Sequence, residues 1–187
     1  MPRHRTGEGL YRVPDGSDSP PPALLTRTTL LSVMRRHGLE PRRTLGQNFV
    51  VDPNTIRRIV ARAGVGAGDR VVEVGPGLGS LTLGLLHADA EVTVVELDDR
   101  VRDAWTEVTG GRARWVHADA AEVDWHALMG DQPWSMVANL PYNVSTPVML
   151  NALERSRSLS GALVMVQREV GSVGARRRVR VRTGSRA

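Results

Sequence analysis

The stretch from Arg70 to Ser80, Arg-Val-Val-Glu-Val-Gly-Pro-Gly-Leu-Gly-Ser, restricts the fold more than any other part of this 187-residue chain. Val71, Val72 and Val74 form a short β-branched run with the character of a buried strand. Three glycines at alternate positions then force a sharp turn, and Leu78, Leu81 and Leu85 follow at helical spacing. A strand that turns through glycines into a helix gathers unpaired backbone N–H groups and the positive end of a helix dipole at one point, which suits a bound cofactor. A second strand-like run, Val92 to Val95, ends on Glu96, twenty-one residues after Gly75. An acid at that spacing is placed to accept both hydroxyl protons of a ribose.

Around this turn, strand and helix patterns alternate. Leu30, Val33, Met34 and His37 mark a short amphipathic helix stopped by Gly38. A second helix has Asp52 as its N-cap, Pro53 at its first position, an apolar face of Ile56, Ile59, Val60 and Ala63, and Gly64 beyond its end. After the turn, Asp98 caps a helix with Val101, Ala104, Trp105 and Val108 inward. Arg112 to His117 reads as a third strand closed by Asp119, and residues 124–129 as a short helix. Trp134 to Ala138 is a fourth strand, Thr146 and Pro147 open a further helix, and Ala162 to Val166 is a fifth strand. Such alternation predicts an α/β domain with a mostly parallel sheet covered on both faces. Residues 1–23, polar and ending in Pro20-Pro-Pro22, read as a disordered tail, 24–170 as the domain, and 171–187 as an arginine-rich tail that is non-native or disordered.

Charge separates the same regions. Residues 24–62 carry eight arginines and two acids, residues 63–170 eight arginines and fifteen acids, and residues 171–187 six arginines and no acid. The glycine-turn body is therefore acidic, and the surface able to meet phosphates lies before it and in the tail. All 25 basic residues are arginine, which we read as coding bias. The absence of cysteine excludes disulfides and thiolate metal sites, and no metal set is read elsewhere. No apolar run reaches the ~20 residues of a membrane span. The first residues lack the apolar core of a signal peptide, so the expected location is the cytoplasm.

Asn139-Leu-Pro-Tyr142 follows the fourth strand and so falls at the carboxyl edge of the sheet, where such folds bind ligands. The Asn139 side-chain carbonyl and the Leu140 backbone carbonyl could accept the two protons of an adenine amine. Pro141 would stiffen the turn and Tyr142 would stack on the base. A tight turn closing a strand is the alternative reading of the same four residues.

The glycine turn, E-x-G-P-G-x-G rather than G-x-G-x-x-G, resembles that of S-adenosylmethionine-dependent methyltransferases. Gln47-Asn-Phe49, Glu73 to Gly79, Val95-Glu-Leu-Asp98, Asp119-Ala120, Asn139 to Pro147 and Met165-Val-Gln-Arg-Glu169 stand in the order and spacing of the ribosomal RNA adenine N6,N6-dimethyltransferases. The resemblance covers about residues 24–170. It implies a Rossmann-like fold and S-adenosyl-L-methionine as cofactor, with methylation of small-subunit ribosomal RNA, free or in a pre-ribosomal 30S particle, by a monomer. Asn48 and the backbone at Val50 would close over the cofactor, Gly75 and Gly77 would approach its amino-acid end, and Glu96 would hold its ribose. Asp119 would accept from its adenine amine, Asn139 would serve cofactor and target amine, and Leu140, Pro141 and Tyr142 would complete the target site. The macrolide-resistance branch, which methylates a large-subunit adenine, is the near alternative; Leu140, Asn143 and Pro147 favour the small-subunit branch. A vestigial RNA-binding fragment is the alternative from another class. The family continues after its fifth strand with more strands and a small helical domain. Here the acid-free ending reads as a shifted frame or truncation that leaves the fifth strand as an exposed edge.

Overall fold

The computed structural model describes residues 19–40, 52–167 and 177–182. Two helices, α1 (Arg27–Arg36) and α2 (Pro53–Ala63), precede the sheet. The chain then alternates through β1 (Arg70–Val74), α3 (Ser80–Leu86), β2 (Glu91–Glu96), α4 (Arg102–Thr109), β3 (Arg114–His117) and α5 (Trp125–Met129). It continues as β4 (Trp134–Pro141), α6 (Tyr142–Arg155), β5 (Leu159–Gln167) and β6 (Arg177–Arg182). The strand order is β3-β2-β1-β4-β5-β6, parallel throughout except for β6, which is antiparallel to β5. Progress outward from β1 through β2 to β3 and then from β4 to β5 reverses between β1 and β4, and that switch point opens a crevice at the carboxyl ends of the strands.

Alternation along the strands explains the two covered faces. Val71, Val94, Val137, Leu163 and Met165 pack against Ile56, Ile59 and Val60 of α2, Leu81 and Leu85 of α3 and Trp105 of α4. Their neighbours Val72, Val74, Val95, Met136, Ala138 and Val164 pack against Trp125 and Met129 of α5 and Val148 and Ala152 of α6. Burying each such aliphatic side chain is worth about 1.5–3 kcal/mol. A buried run like Val71-Val72, with both residues fully enclosed, therefore pins the register of β1 to both layers.

The helix boundaries follow from local chemistry. Thr26 and Thr29 form a reciprocal capping pair at the start of α1, each side-chain oxygen accepting from the other's backbone N–H. Leu30, Val33 and Met34 then seat α1 on Leu78, Leu83 and Val108. Asp52 accepts from the N–H groups of Asn54 and Thr55 at the start of α2, and Gly64 ends it with φ +68°. A Cβ on Gly84 would lie 2.3 Å from Ile56 Cγ2, so α2 and α3 touch only because that position is bare.

Four expectations need correction. Asp98 caps a 3-10 turn, Asp99–Val101, from which α4 then grows. The fourth strand does not stop at Ala138: β4 runs on through Asn139, Leu140 and Pro141, paired with β5 alone after its last β1 partner. The following helix opens at Tyr142 rather than at Thr146, because Pro141, with φ −57° and ψ 151°, already turns the chain as the N-cap. Pro147 then sits inside α6, where it removes one helical hydrogen bond. Finally, β5 is not an edge. Arg177–Arg182 pairs along it, with Val179 opposite Val164 and Val181 opposite Ala162. The alternation of valine and arginine supplies the two-residue period a strand requires.

Candidate active site

The crevice at the switch point is a cleft of about 450 Å³. Its floor is the glycine turn. Gly75 has φ +69°, and a Cβ there would lie 3.1 Å from Leu140 Cδ2; its N–H donates to Val95 O at 3.0 Å, tying the turn to β2. Gly79, with φ +86°, lets Ser80 begin α3, and a Cβ at Gly79 would meet Trp105 and Thr109 at 3.0 Å. The two halves of the sequence fingerprint touch directly, since Gly77 N–H donates to Glu96 Oε2 at 3.3 Å.

Glu96 caps its own loop. Its Oε1 accepts from Leu97 N–H at 2.9 Å and Asp98 N–H at 3.0 Å, which fixes the carboxylate at the wall of the cleft. Burial pushes its carboxyl above the ordinary range, and the three backbone donors oppose that shift. Asp98 in turn holds Arg100, through contacts of 2.6 and 2.5 Å to Nε and the guanidinium end. Asp119 accepts from Ala121 N–H at 2.8 Å in a tight turn after β3, on the same wall.

The opposite wall is the projecting end of β4. Asn139, Leu140 and Pro141 all line the cleft, with Val144 from the first turn of α6 and Ile56 and Ile59 from α2 above them. The structure thus brings together Gly75, Gly77, Glu96, Asp119, Asn139, Leu140 and Pro141. Tyr142 occupies the first position of α6 by its backbone, and its side chain lies outside the described residues. Asn48 and Val50 also fall outside them.

Several cleft residues were not read as functional from the sequence. Ile56 and Ile59 are legible as the apolar face of α2, but nothing in their spacing says that the face extends beyond the core into a ligand site. Glu73 is buried beneath the turn, and Thr82 Oγ1 donates to its Oε2 at 2.6 Å while accepting from Trp105 Nε1–H at 3.2 Å. Asn151, buried on α6, donates from Nδ2 to Val123 O at 3.2 Å and to Ala120 O at 3.5 Å. It thereby braces the Asp119–Val123 turn against the helix that grows from the end of β4.

A doubly wound sheet with a glycine turn, an acid at the end of β2 and a polar strand end in one cleft defines a Rossmann-like α/β domain. The chain belongs to the ribosomal RNA adenine dimethylase family, whose model matches residues 38–181 and so extends past residue 170. It is 53% identical over 141 residues to the ribosomal RNA small subunit methyltransferase A of Leifsonia xyli, covering 72% of this chain and 49% of that protein. Its identity to the protein of the same name from Thermobifida fusca is 46% over 178 residues, covering 91% and 60%. The chain thus spans about half the length of these curated relatives. Among solved structures, the 23S rRNA methyltransferase ErmE superposes with a TM-score of 0.56 at 29% identity, over 64% of this chain and 48% of that one. A dimethyladenosine transferase from Plasmodium falciparum gives 0.52 at 24%, over 63% and 42%, which supports the fold.

Proposed function

We propose that this chain, through a domain spanning residues 24–170, transfers methyl groups from S-adenosylmethionine to N6 of adenosines in small-subunit ribosomal RNA, twice at each target. The carrying observation is that the fingerprint residues Gly75, Gly77 and Glu96 share one cleft with Asn139, Leu140 and Pro141. Both sets of residues belong to one chain, which supports the reading of a monomer. The lining also fits the cofactor's charge. Glu96 and Asp119 give the cleft wall an acidic character that suits a sulfonium and an ammonium and repels a pyrophosphate, while Arg100 and Asp98 are paired with each other.

When bound, S-adenosylmethionine supplies an activated methyl group. Glu96 accepts from its ribose hydroxyls and the Asp119 turn receives its base, with Asn48 and Val50 closing over it. Asn139 and the Leu140 carbonyl hold the target amine's protons and orient its lone pair toward the cofactor. Pro141 stiffens the strand end and Tyr142 stacks on a base drawn out of its helix. Alignment of this kind supplies up to ~7–11 kcal/mol of the barrier without any covalent intermediate on the protein.

The curated relatives are named for the small subunit. The large-subunit reading draws on the likeness to ErmE, at 29% identity. Incubation of the chain with S-adenosylmethionine and small-subunit particles lacking the modification, followed by nucleoside mass spectrometry, should yield N6,N6-dimethyladenosine. Asn139→Ala should lower that yield by roughly 100-fold, as loss of a positioned polar group does elsewhere. Modification of large-subunit RNA instead, or cofactor binding without any transfer, overturns the assignment.

Asn151 offers a quieter check on the same cleft. Asn151→Leu keeps the branched shape and removes the donor to the buried Ala120 carbonyl and the partly buried Val123 carbonyl, at a cost of about 1–3 kcal/mol. Because those carbonyls belong to the Asp119 turn, calorimetry should show cofactor affinity falling while Tyr142→Ala leaves it unchanged.

A further inference from the structure

Charge is divided across the sheet in a way the cofactor site does not use. On the β2–β3 flank the cleft wall and its surroundings carry Glu96, Asp98, Asp99, Asp119 and Glu122. On the other flank lies α2, whose Ile56 and Ile59 form the cleft rim while Arg57, Arg58 and Arg62 are exposed. No acid occurs between Pro53 and Gly68. Arg58 pairs at long range with Asp52 at the N-cap, 3.9 Å away, and both Arg57 and Arg58 hydrogen-bond uncharged groups, Arg57 that of Asn54 and Arg58 those of Asn54 and Thr55.

The helix runs from the cleft to the opposite edge of the sheet. Its end, with Arg62, borders a polar hollow of about 170 Å³ shared with Ser135, Ser160 and Leu163 at the beginnings of β4 and β5. Immediately beyond β5 comes β6, with four arginines in six residues, and its register sets Arg178, Arg180 and Arg182 opposite Met165, Leu163 and Gly161. Leu163 and Met165 are the β5 residues on which α2 packs. Two basic elements from distant parts of the sequence are therefore brought to the same strand, on the target side of the cleft.

We infer that α2 and β6 form a phosphate-binding track for the single-stranded RNA that flanks the target nucleotide, leading from the cleft rim toward the Arg62 hollow. The inference rests on RNA being the substrate, and it adds where the strand lies. The acidic flank repels the strand from the cofactor side, and the arginine track holds it on the side of the cleft where Asn139 stands. Contacts of this kind carry no sequence information. They position the strand and make binding salt-dependent, with a slope of about −0.7 per neutralised phosphate on a single strand.

The test uses the full chain, a fluorescent single-stranded RNA containing adenosines, and fluorescence anisotropy across a salt series. Replacing Arg57, Arg58 and Arg62 together by glutamine should weaken RNA binding roughly tenfold or more at moderate salt and reduce the salt slope by about 2. The same three positions changed to lysine should retain most of the affinity. Calorimetric affinity for S-adenosylmethionine should not change in either variant, which also reports that they are folded. As a control for net charge, Arg102→Gln with Arg114→Gln on the acidic flank should have little effect. Equal loss in that control, or an unchanged slope in the α2 variant, overturns the track. Methyl transfer by the wild-type chain is read separately, so a protein that binds RNA through these arginines and transfers nothing refutes the proposed activity and leaves the track standing.

Discussion

Replacing Glu96 by alanine is expected to lower affinity for S-adenosylmethionine by at least about 100-fold. Hydrogen bonds to a charged acceptor are worth about 1.5–3 kcal/mol each, and a ribose offers two. The loss should exceed that of the two bonds alone. In the ligand-free fold the same carboxylate accepts from Gly77, Leu97 and Asp98, so its removal also releases the glycine turn and the loop beside it. Glu96→Gln separates the contributions: it retains an acceptor for the loop and loses the charge, and should fall between wild type and alanine. Isothermal calorimetry on folded variants measures both, and unchanged affinity in Glu96→Ala refutes the role of this wall.

That much of the cleft was legible because its parts are local. A strand, a glycine turn and an acid at the end of the next strand are each written within a few residues, and parallel pairing of β1 with β2, Val74 opposite Val95, sets Glu96 beside the turn. The caps of α2 were legible for the same reason: Asp52 and Gly64 act within one turn of where they stand. The extension of β4 was not. Asn139 and Pro141 are poor strand formers, and their pairing is set by β5, whose Met165 and Gln167 lie opposite them. Once the strand reaches Pro141, α6 must open at Tyr142, so the later start inferred from Thr146 and Pro147 failed with it.

Long-range consequences were hidden in residues whose local role was already satisfied. Ile56 reads as core and is core, yet it also lines the cleft, because α2 packs on one face of the sheet with its first turns beside the carboxyl ends of the strands. Asn151 reads as a polar interruption of an apolar helix face, and only the fold reveals Ala120 and Val123 as its partners. The arginine-rich ending offered no apolar face, and a tail was the natural expectation. The partner that makes a strand of it is β5, whose outer backbone groups are available only after the sheet has formed.

Glu73 provides the largest expected effect on stability, and its sign is set by burial. The side chain is enclosed under the glycine turn, and desolvation raises its carboxyl from 4.5 to about 8, with the nearby Glu96 charge adding and the Thr82 hydroxyl opposing. Between those values the folded chain holds a proton that the unfolded chain releases. The stability associated with this group is therefore fully present below about pH 4.5 and declines as pH rises toward about 8, by up to about 1.4 kcal/mol per unit. Carboxylates held low, such as Asp52 through Thr55 and Glu107 through Arg36, act in the opposite sense and only in acid. A comparison of wild type with Glu73→Gln isolates the buried group, because the amide keeps a hydrogen-bonding partner for Thr82 and cannot ionise. Urea denaturation across this range should show the variant gaining on wild type steadily from acid to alkaline pH, ending several kcal/mol more stable than the ionised carboxylate allows. A constant difference at every pH shows instead that Glu73 has the same proton occupancy folded and unfolded, and removes the buried acid from the account of how the floor of this cleft is held.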